Sequence, residues 1–101
     1  MHVSGVASRF RTAALETRKV MDLDVNAYLG RQLRRRRRLL GLTQKHIAVV
    51  VGVGFQQIQK YECGANRMSA AMLWKLAGAL DAPVEYFFEG FSRADARKVA
   101  E

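Results

Sequence analysis

A turn of three residues, Gly52-Val53-Gly54, separates two stretches whose apolar residues have helical spacing. Because so short a turn leaves little chain for a reversal, the two helices must meet at a steep angle. Gly52 can adopt the left-handed conformation that a β-branched residue would resist. Ala48 is small enough to let the second helix approach closely, and Ile58 fills the angle between the two. This feature predicts the helix-turn-helix pattern, in which the second helix is held against the first.

The helical periodicity continues on both sides of this turn, and no stretch alternates with a period of two long enough to indicate a sheet. The run Val49-Val50-Val51 favours a strand, but the Thr43 cap before it and the glycine turn after it favour a helix. We therefore predict an all-α fold, a compact bundle of five short helices. The five are Asn26–Leu40, a helix from the Thr43 cap to Gly52, Phe55–Cys63, a helix capped by Ser69, and a short one whose first turn contains Pro83.

The predicted core lies on one stripe of each helix, at the spacing that buries one face. Its expected members are Leu29, Leu33, Leu40, Ile47, Ala48, Val51, Ile58, Tyr61, Met72, Leu73, Leu76, Ala77, Leu80, Phe87 and Phe88. At 101 residues the chain has the length of one domain. We assign residues 24–91 to it, residues 1–23 to an N-terminal arm that is flexible or a short helix, and residues 92–101 to a C-terminal tail.

The positive charge is concentrated in the middle of the chain. The formal net charge is +8, and residues 24–68 carry nine basic side chains against two acidic ones. Six of the eight residues from Arg31 to Arg38 are arginine. Such a run is often only a solvated helix face, but the guanidinium fork also pairs with phosphate through two hydrogen bonds. Nucleic acid is therefore the first partner to test, ahead of a membrane surface.

Several other classes of protein are not expected. The single Cys63 excludes a disulfide framework and a multi-cysteine zinc site, and His46 has no second ligand at metal spacing. The sequence has no paired carboxylates, no Ser/His/Asp or Cys/His set, and no phosphate-binding glycine loop. No run approaches the ~18 apolar residues of a membrane span, and we see no signal peptide. We expect a cytoplasmic, nucleoid-associated protein without catalytic activity, cofactor or metal.

Five short motifs resemble the phage repressor/Cro-type (XRE-like) helix-turn-helix family of bacterial transcriptional regulators. They are Leu39-Leu40-Gly41-Leu42-Thr43-Gln44, Ile47-Ala48, Gly52-Val53, Ile58 and Tyr61-Glu62-Cys63-Gly64, and Leu73, Leu76-Ala77, Leu80 and Phe87 fit the later helices. The resemblance covers roughly residues 26–90. It implies a lambda-repressor-like fold that binds double-stranded DNA with residues 55–63 in the major groove.

The resemblance also implies roles for individual residues. Gln44 would hydrogen-bond a phosphate and brace the recognition helix, and Arg37 would pair with Glu62 inside the domain. The exposed Phe55, Gln56, Gln59 and Lys60 would face base edges or flanking phosphates, with Phe55 against a thymine methyl group. Gln57 would face the turn or a phosphate. The remaining DNA-binding candidates are the basic residues Arg34, Arg38, Lys45 and Arg67, while Arg31, Arg35 and Arg36 would be partly phosphate contacts and partly solvated.

Two functions fit this pattern. The first is a sequence-specific transcriptional regulator that binds an inverted repeat as a homodimer, with part of the aromatic cluster Tyr86-Phe87-Phe88…Phe91 forming the dimer contact. The alternative is an antitoxin-like or partner-binding module whose aromatic end binds another protein and whose DNA binding is autoregulatory. Non-specific DNA binding through the arginine run is a weaker third interpretation.

Overall fold

The computed structural model describes residues 25–91, which form four α-helices followed by a short 3-10 helix, with no strand among them. The elements are α1 (residues 25–39), α2 (Gln44–Val51), α3 (Phe55–Glu62), α4 (Ala70–Ala79) and the 3-10 helix Val84–Phe88. The predicted all-α fold is confirmed, although the fifth helix is 3-10 rather than α. The predicted N-terminal arm and C-terminal tail lie outside the described residues, so the domain boundaries stay predictions.

The caps that begin α2 and α4 are those expected from the sequence. The Thr43 hydroxyl accepts a hydrogen bond from the His46 amide at 3.0 Å, and the Ser69 hydroxyl accepts one from the Met72 amide at 3.0 Å. Each hydroxyl satisfies one of the backbone donors that a helix start leaves without a partner. These two contacts fix the residues at which α2 and α4 begin.

The core collects apolar residues from all five elements, and Phe87 is among its fully buried members. Two predicted core residues are wrong. Leu40 is 40% exposed because α1 ends before it, in the turn that leads to α2. Phe88 is 42% exposed because a 3-10 helix has three residues per turn, which places Val84 and Phe87 on one face and turns Phe88 away from it. Met72 lies at the edge of the core, half-buried.

Close backbone contact joins α1 to the end of α3. A Cβ atom on Gly30 would overlap the carbonyl oxygen of Tyr61 and would lie 2.8 Å from that of Glu62. One turn earlier on α1, the Cα of Ala27 would lie 2.9 Å from a Cβ atom on Gly64, just after α3. Only glycine at residue 30 lets the two helices approach this closely, which fixes α1 against the C-terminal end of α3.

A second face of α1 holds the C-terminal segment through polar side chains spaced four residues apart. The Gln32 amide donates to the Tyr86 carbonyl at 2.8 Å, and the Tyr86 hydroxyl donates back to the Gln32 carbonyl at 3.1 Å. The Tyr28 hydroxyl donates to the Glu89 carbonyl. Burial raises the pKa of Tyr86, although Arg35 and Arg36 partly oppose the shift. Residues 84–91 are therefore fixed to α1 rather than only packed on the core.

Candidate nucleic-acid interface

The turn between α2 and α3 has the predicted geometry. Gly52 lies in the left-handed region with φ of 80° and ψ of 35°, and the amides of Gly52 and Val53 both donate to the Ala48 carbonyl, at 2.8 and 3.0 Å. These bonds end α2, and Gly54 begins α3 without a side-chain cap. Because Ile58 is fully buried behind the turn, α3 is held at a fixed angle with its opposite face in solvent.

The solvent face of α3 carries most of the predicted base contacts. Gln56, Gln59 and Lys60 are exposed along it, whereas Gln57 is half-buried. Amides and an ammonium group offer both donors and acceptors, which is the chemistry needed to discriminate base pairs in the major groove. The arrangement is therefore able to present a hydrogen-bonding surface to a groove.

Phe55 departs from its predicted exposure. It is half-buried and packs against the core. The exposed Lys45 of α2 places its Nζ 5.6 Å from the centroid of this ring, within cation–π distance. Its packing against the core makes Phe55 a support for the N-terminal end of α3, and its side chain is only partly exposed for a base contact.

Arg37 and Glu62 are brought together. Arg37 Nε lies 2.6 Å from one Glu62 carboxylate oxygen and Nη2 lies 3.0 Å from the other, while Nη1 donates to the Leu42 carbonyl at 2.9 Å. The hydrogen bond to Glu62 raises the pKa of Arg37 and outweighs the opposing effect of burial. Because Glu62 is the sole acid of α3, its inward pairing leaves the solvent face of that helix without negative charge.

Gln44 joins this pair from the first residue of α2. Its amide nitrogen donates to a Glu62 oxygen at 3.0 Å, so side chains from α1, α2 and α3 meet at one carboxylate. This bond links the first residue of α2 to the last residue of α3, and the bracing role that the resemblance implies stays a prediction. The predicted phosphate contact of Gln44 stays a prediction.

The arginines of the run Arg31–Arg38 lie on different faces of α1. Arg36 turns inward at the end of α4, where Nε donates to the Leu80 carbonyl at 3.0 Å and Nη2 to the Asp81 carbonyl at 2.8 Å. It donates to carbonyls that a helix end leaves open, which gives Arg36 a structural role, and its predicted share in phosphate contact stays a prediction. The other run members, apart from Arg37, are exposed: Arg31, Arg34, Arg35 and Arg38. Arg67 is also exposed, between α3 and α4.

Two structural residues were missed by the sequence argument. Gln32 is buried at 6% exposure, and its position on the same face as Leu29 and Leu33 was a signal that could have identified it. Gly30 gave no signal, since a glycine inside a helical pattern does not reveal what packs against it. Both lie on α1 and fix its neighbours in place.

No group of three His, Cys, Asp or Glu side chains between residues 25 and 91 could hold a metal ion. Cys63 and His46 are both exposed. Over the same range, no helix is long and apolar enough to cross a membrane.

Residues 33–87 match the model of the helix-turn-helix family HTH_3. An uncharacterized transcriptional regulator in the ATPase CF(0) region of Rhodospirillum rubrum is 46% identical over 82 residues, which are 81% of this chain and 74% of that protein. An HTH-type regulator of Sinorhizobium fredii is 45% identical over 65 residues, 64% of this chain and 46% of the relative. The chain thus spans about three quarters of the first relative and under half of the second.

Solved structures are also similar to this chain. The restriction-modification controller protein C.AhdI from Aeromonas hydrophila superposes with a TM-score of 0.61 at 31% identity, over 64% of this chain and 97% of that one. An HTH_3 family transcriptional regulator from Vibrio cholerae gives a TM-score of 0.66 at 27% identity, over 72% of this chain and 41% of that one.

Proposed function

Because this chain belongs to the helix-turn-helix family HTH_3, we propose that it is a DNA-binding transcriptional regulator. The relatives named as transcriptional regulators support this assignment. The chain acts, in this proposal, in the cytoplasm on chromosomal DNA. Catalysis forms no part of the mechanism.

In the proposed complex, α3 lies in the major groove, whose width of about 12 Å admits one helix. Gln56 and Gln59 contact base edges there, and glutamine pairs with adenine through two hydrogen bonds. Lys60 reaches guanine or a flanking phosphate. The fixed angle set by Gly52 supports this arrangement, since it holds the outer face of α3 clear of α2.

Phosphate contacts position the protein on the duplex without specifying sequence. We assign this role to Lys45 and Gln44 at the start of α2, to Gln57 and to Arg67. Arg34 and Arg38 on α1 also contact phosphate, on DNA outside the groove that α3 occupies. The Glu62 carboxylate of α3 is itself paired inside the domain, since it accepts hydrogen bonds from Arg37 and Gln44.

A homodimer on an inverted repeat is the assembly that we propose, with half-sites about one helical turn, ~34 Å, apart. The support is the aromatic C-terminal segment: Phe88 is 42% exposed, and Tyr86 ties its backbone to α1. An apolar side chain held rigidly at the surface loses little conformational freedom on pairing with a second copy.

The observation that carries the proposal is the solvent face of α3, polar and free of negative charge on a helix whose other face is buried. The first test is selection from a randomised duplex library at physiological salt, because specific binders exceed non-specific binding by ~10³ or more. We expect an inverted repeat to be enriched. Enrichment of no sequence, with binding that disappears as salt rises, would refute a sequence-specific regulator.

Variants of α3 test the assignment of base contacts. Gln56→Ala and Gln59→Ala should each reduce discrimination at one base pair by ~1–3 kcal/mol, about 5- to 150-fold. Gln57→Ala is the matched control on the same helix and should weaken the selected and random duplexes equally. Equal losses on both duplexes for Gln56→Ala or Gln59→Ala would remove that residue from base recognition.

A further inference from the structure

The outward face of α1 carries four exposed arginines at helical positions i, i+3, i+4 and i+7. We call this set the arginine stripe: Arg31, Arg34, Arg35 and Arg38. The remaining faces of α1 are occupied. Gly30 and Arg37 contact the end of α3, and Gln32 and Arg36 hold the C-terminal segment and the end of α4. The stripe therefore points away from both neighbours.

The stripe has no internal counter-charge. Within residues 25–91 the carboxylate ion pair is that of Arg37 with Glu62, and no stripe residue joins a carboxylate there. Arg31 makes one cation–π contact, with its guanidinium 5.6 Å from the Tyr28 ring. Like charges three and four residues apart destabilise a helix. A surface that opposes the stability of its own helix is characteristic of a ligand-binding site.

The stripe also lies on a different helix from the base contacts. Gln56 precedes Glu62 by six residues, about 9 Å along the helix axis, and α1 crosses the chain at Glu62. Arg31 lies about 100° around α1 from Gly30, which contacts the end of α3. The stripe and the exposed face of α3 are therefore formed by separate helices.

We propose that the arginine stripe is a second phosphate-binding surface, which takes a DNA backbone outside the groove contacted by α3. This inference rests on the proposed DNA binding and goes beyond it, since it assigns these side chains to DNA that the recognition helix does not touch. The source of the phosphates is either the flank of the same duplex or a second duplex.

The spacing fits such a ligand. Arg31 and Arg38 are seven residues apart, about 10.5 Å along α1. Duplex DNA carries one charge per ~1.7 Å of axis over its two strands, so that length spans about six phosphates, about three on each strand. Four permanently charged guanidinium forks over the same length match this density, and each can bind a phosphate through two hydrogen bonds.

The test compares the full chain with a variant in which all four stripe residues are changed to glutamine. Two probes are used: a duplex that ends at the selected inverted repeat, and the same repeat with 15 base pairs added on each side. Binding is measured between 50 and 200 mM salt. A second variant with all four residues changed to lysine keeps the charge, and Lys75→Gln, on the exposed side of α4, is the control for loss of charge elsewhere.

If the stripe binds the flank, the wild type has a steeper salt dependence on the long duplex than on the short one. Neutralising four phosphates changes the slope of log K against log salt by about 3.6 per chain, or about 150-fold in affinity over this salt range. The glutamine variant abolishes the difference between duplexes, the lysine variant retains it, and Lys75→Gln leaves it unchanged.

If the stripe binds a second duplex, the slopes on the two probes agree, but wild-type protein on an immobilised short duplex captures a labelled random duplex at 50 mM salt. The glutamine variant loses this capture, whereas Gln56→Ala with Gln59→Ala retains it. The latter comparison separates the stripe from a dimer that places one α3 on each duplex.

The proposal is overturned if the glutamine variant matches the wild type in slope and capture, or if it reduces the slope equally on both duplexes. The second result would place the stripe at the operator itself. Should selection yield no repeat, the proposed sequence-specific function fails separately, and random duplexes then test the stripe: a slope unchanged by the glutamine variant overturns it. The glutamine variant should melt above the wild type because like charges are removed, so a loss of binding is not a loss of fold.

Discussion

Replacing Arg37 by alanine leaves a buried carboxylate without its cation. The Glu62 side chain is 4% exposed and would keep one hydrogen bond, from Gln44, while the Leu42 carbonyl loses the Arg37 Nη1 donor. Breaking a buried pair by removing one partner costs ~3–5 kcal/mol. Because Arg37 itself is 11% exposed and water can enter its place, we take the lower value, about 3 kcal/mol.

A single small core rarely supplies more than ~3–5 kcal/mol, so this loss is most of the stability of the domain. For a domain of this size about 1 kcal/mol moves the melting temperature by ~4–8 °C. We expect Arg37→Ala to melt more than 12 °C below the wild type. Circular dichroism during thermal and urea unfolding measures the shift, with exposed Arg38→Ala as the matched control within ~0.5 kcal/mol.

The double variant Arg37→Met with Glu62→Leu separates a lost ion pair from a stranded charge. It should recover most of the stability, because apolar groups of similar volume replace a buried pair at little cost. Because its pKa is raised, Arg37 stays charged, and its stabilising effect is lost only as pH rises through that raised pKa. The loss of stability in Arg37→Ala should therefore not change between pH 7 and 10. Melting of Arg37→Ala within 2 °C of Arg38→Ala would refute the reasoning.

Gly30→Ala should destabilise by ~1–3 kcal/mol in urea unfolding, because its methyl group overlaps the Tyr61 carbonyl and α1 must move; an unchanged midpoint would contradict the close contact. Gly54→Ser should stabilise by a few tenths of a kcal/mol, since φ of −75° suits serine and its hydroxyl can cap α3; a lower midpoint would show that the cap does not form. Burial raises the pKa of Tyr86, so the folded state favours its neutral form, and this contribution holds below ~pH 10 and declines as pH rises through the raised value. In thermal melts from pH 9 to 11, Tyr86→Phe should decline less than the wild type, and parallel curves would remove Tyr86 from the alkaline loss.

The sequence was sufficient for features that depend on near neighbours. Thr43 and Ser69 cap the helices predicted for them, and Gly52 has the left-handed conformation expected from its place in the turn. These are local choices, because a cap or a turn is decided by residues within one helical turn of it. The apolar stripe of α4 followed from periodicity in the same way.

Features that depend on which helix lies opposite were not predictable from the chain. Gly30 is required by the backbone of α3, which is distant in sequence. Phe55 packs against the core although its exposure was expected, and Phe88 is exposed because its segment is a 3-10 helix. None of these residues has a signature within its own segment, so propensity and periodicity gave the elements but not all of their contacts.

The arginine run shows why charge alone is a weak guide to a binding surface. Six identical side chains within eight residues acquire three roles, because successive residues of a helix differ by about 100° and point to different neighbours. Arg37 is neutralised by Glu62, and Arg36 is held by the carbonyls at the end of α4, so neither adds to an outward surface. The other four share a face that has no carboxylate partner in the described part of the chain. A run of one residue type therefore predicts the sign of the partner, whereas the helical period and the fold decide which of its members can reach it.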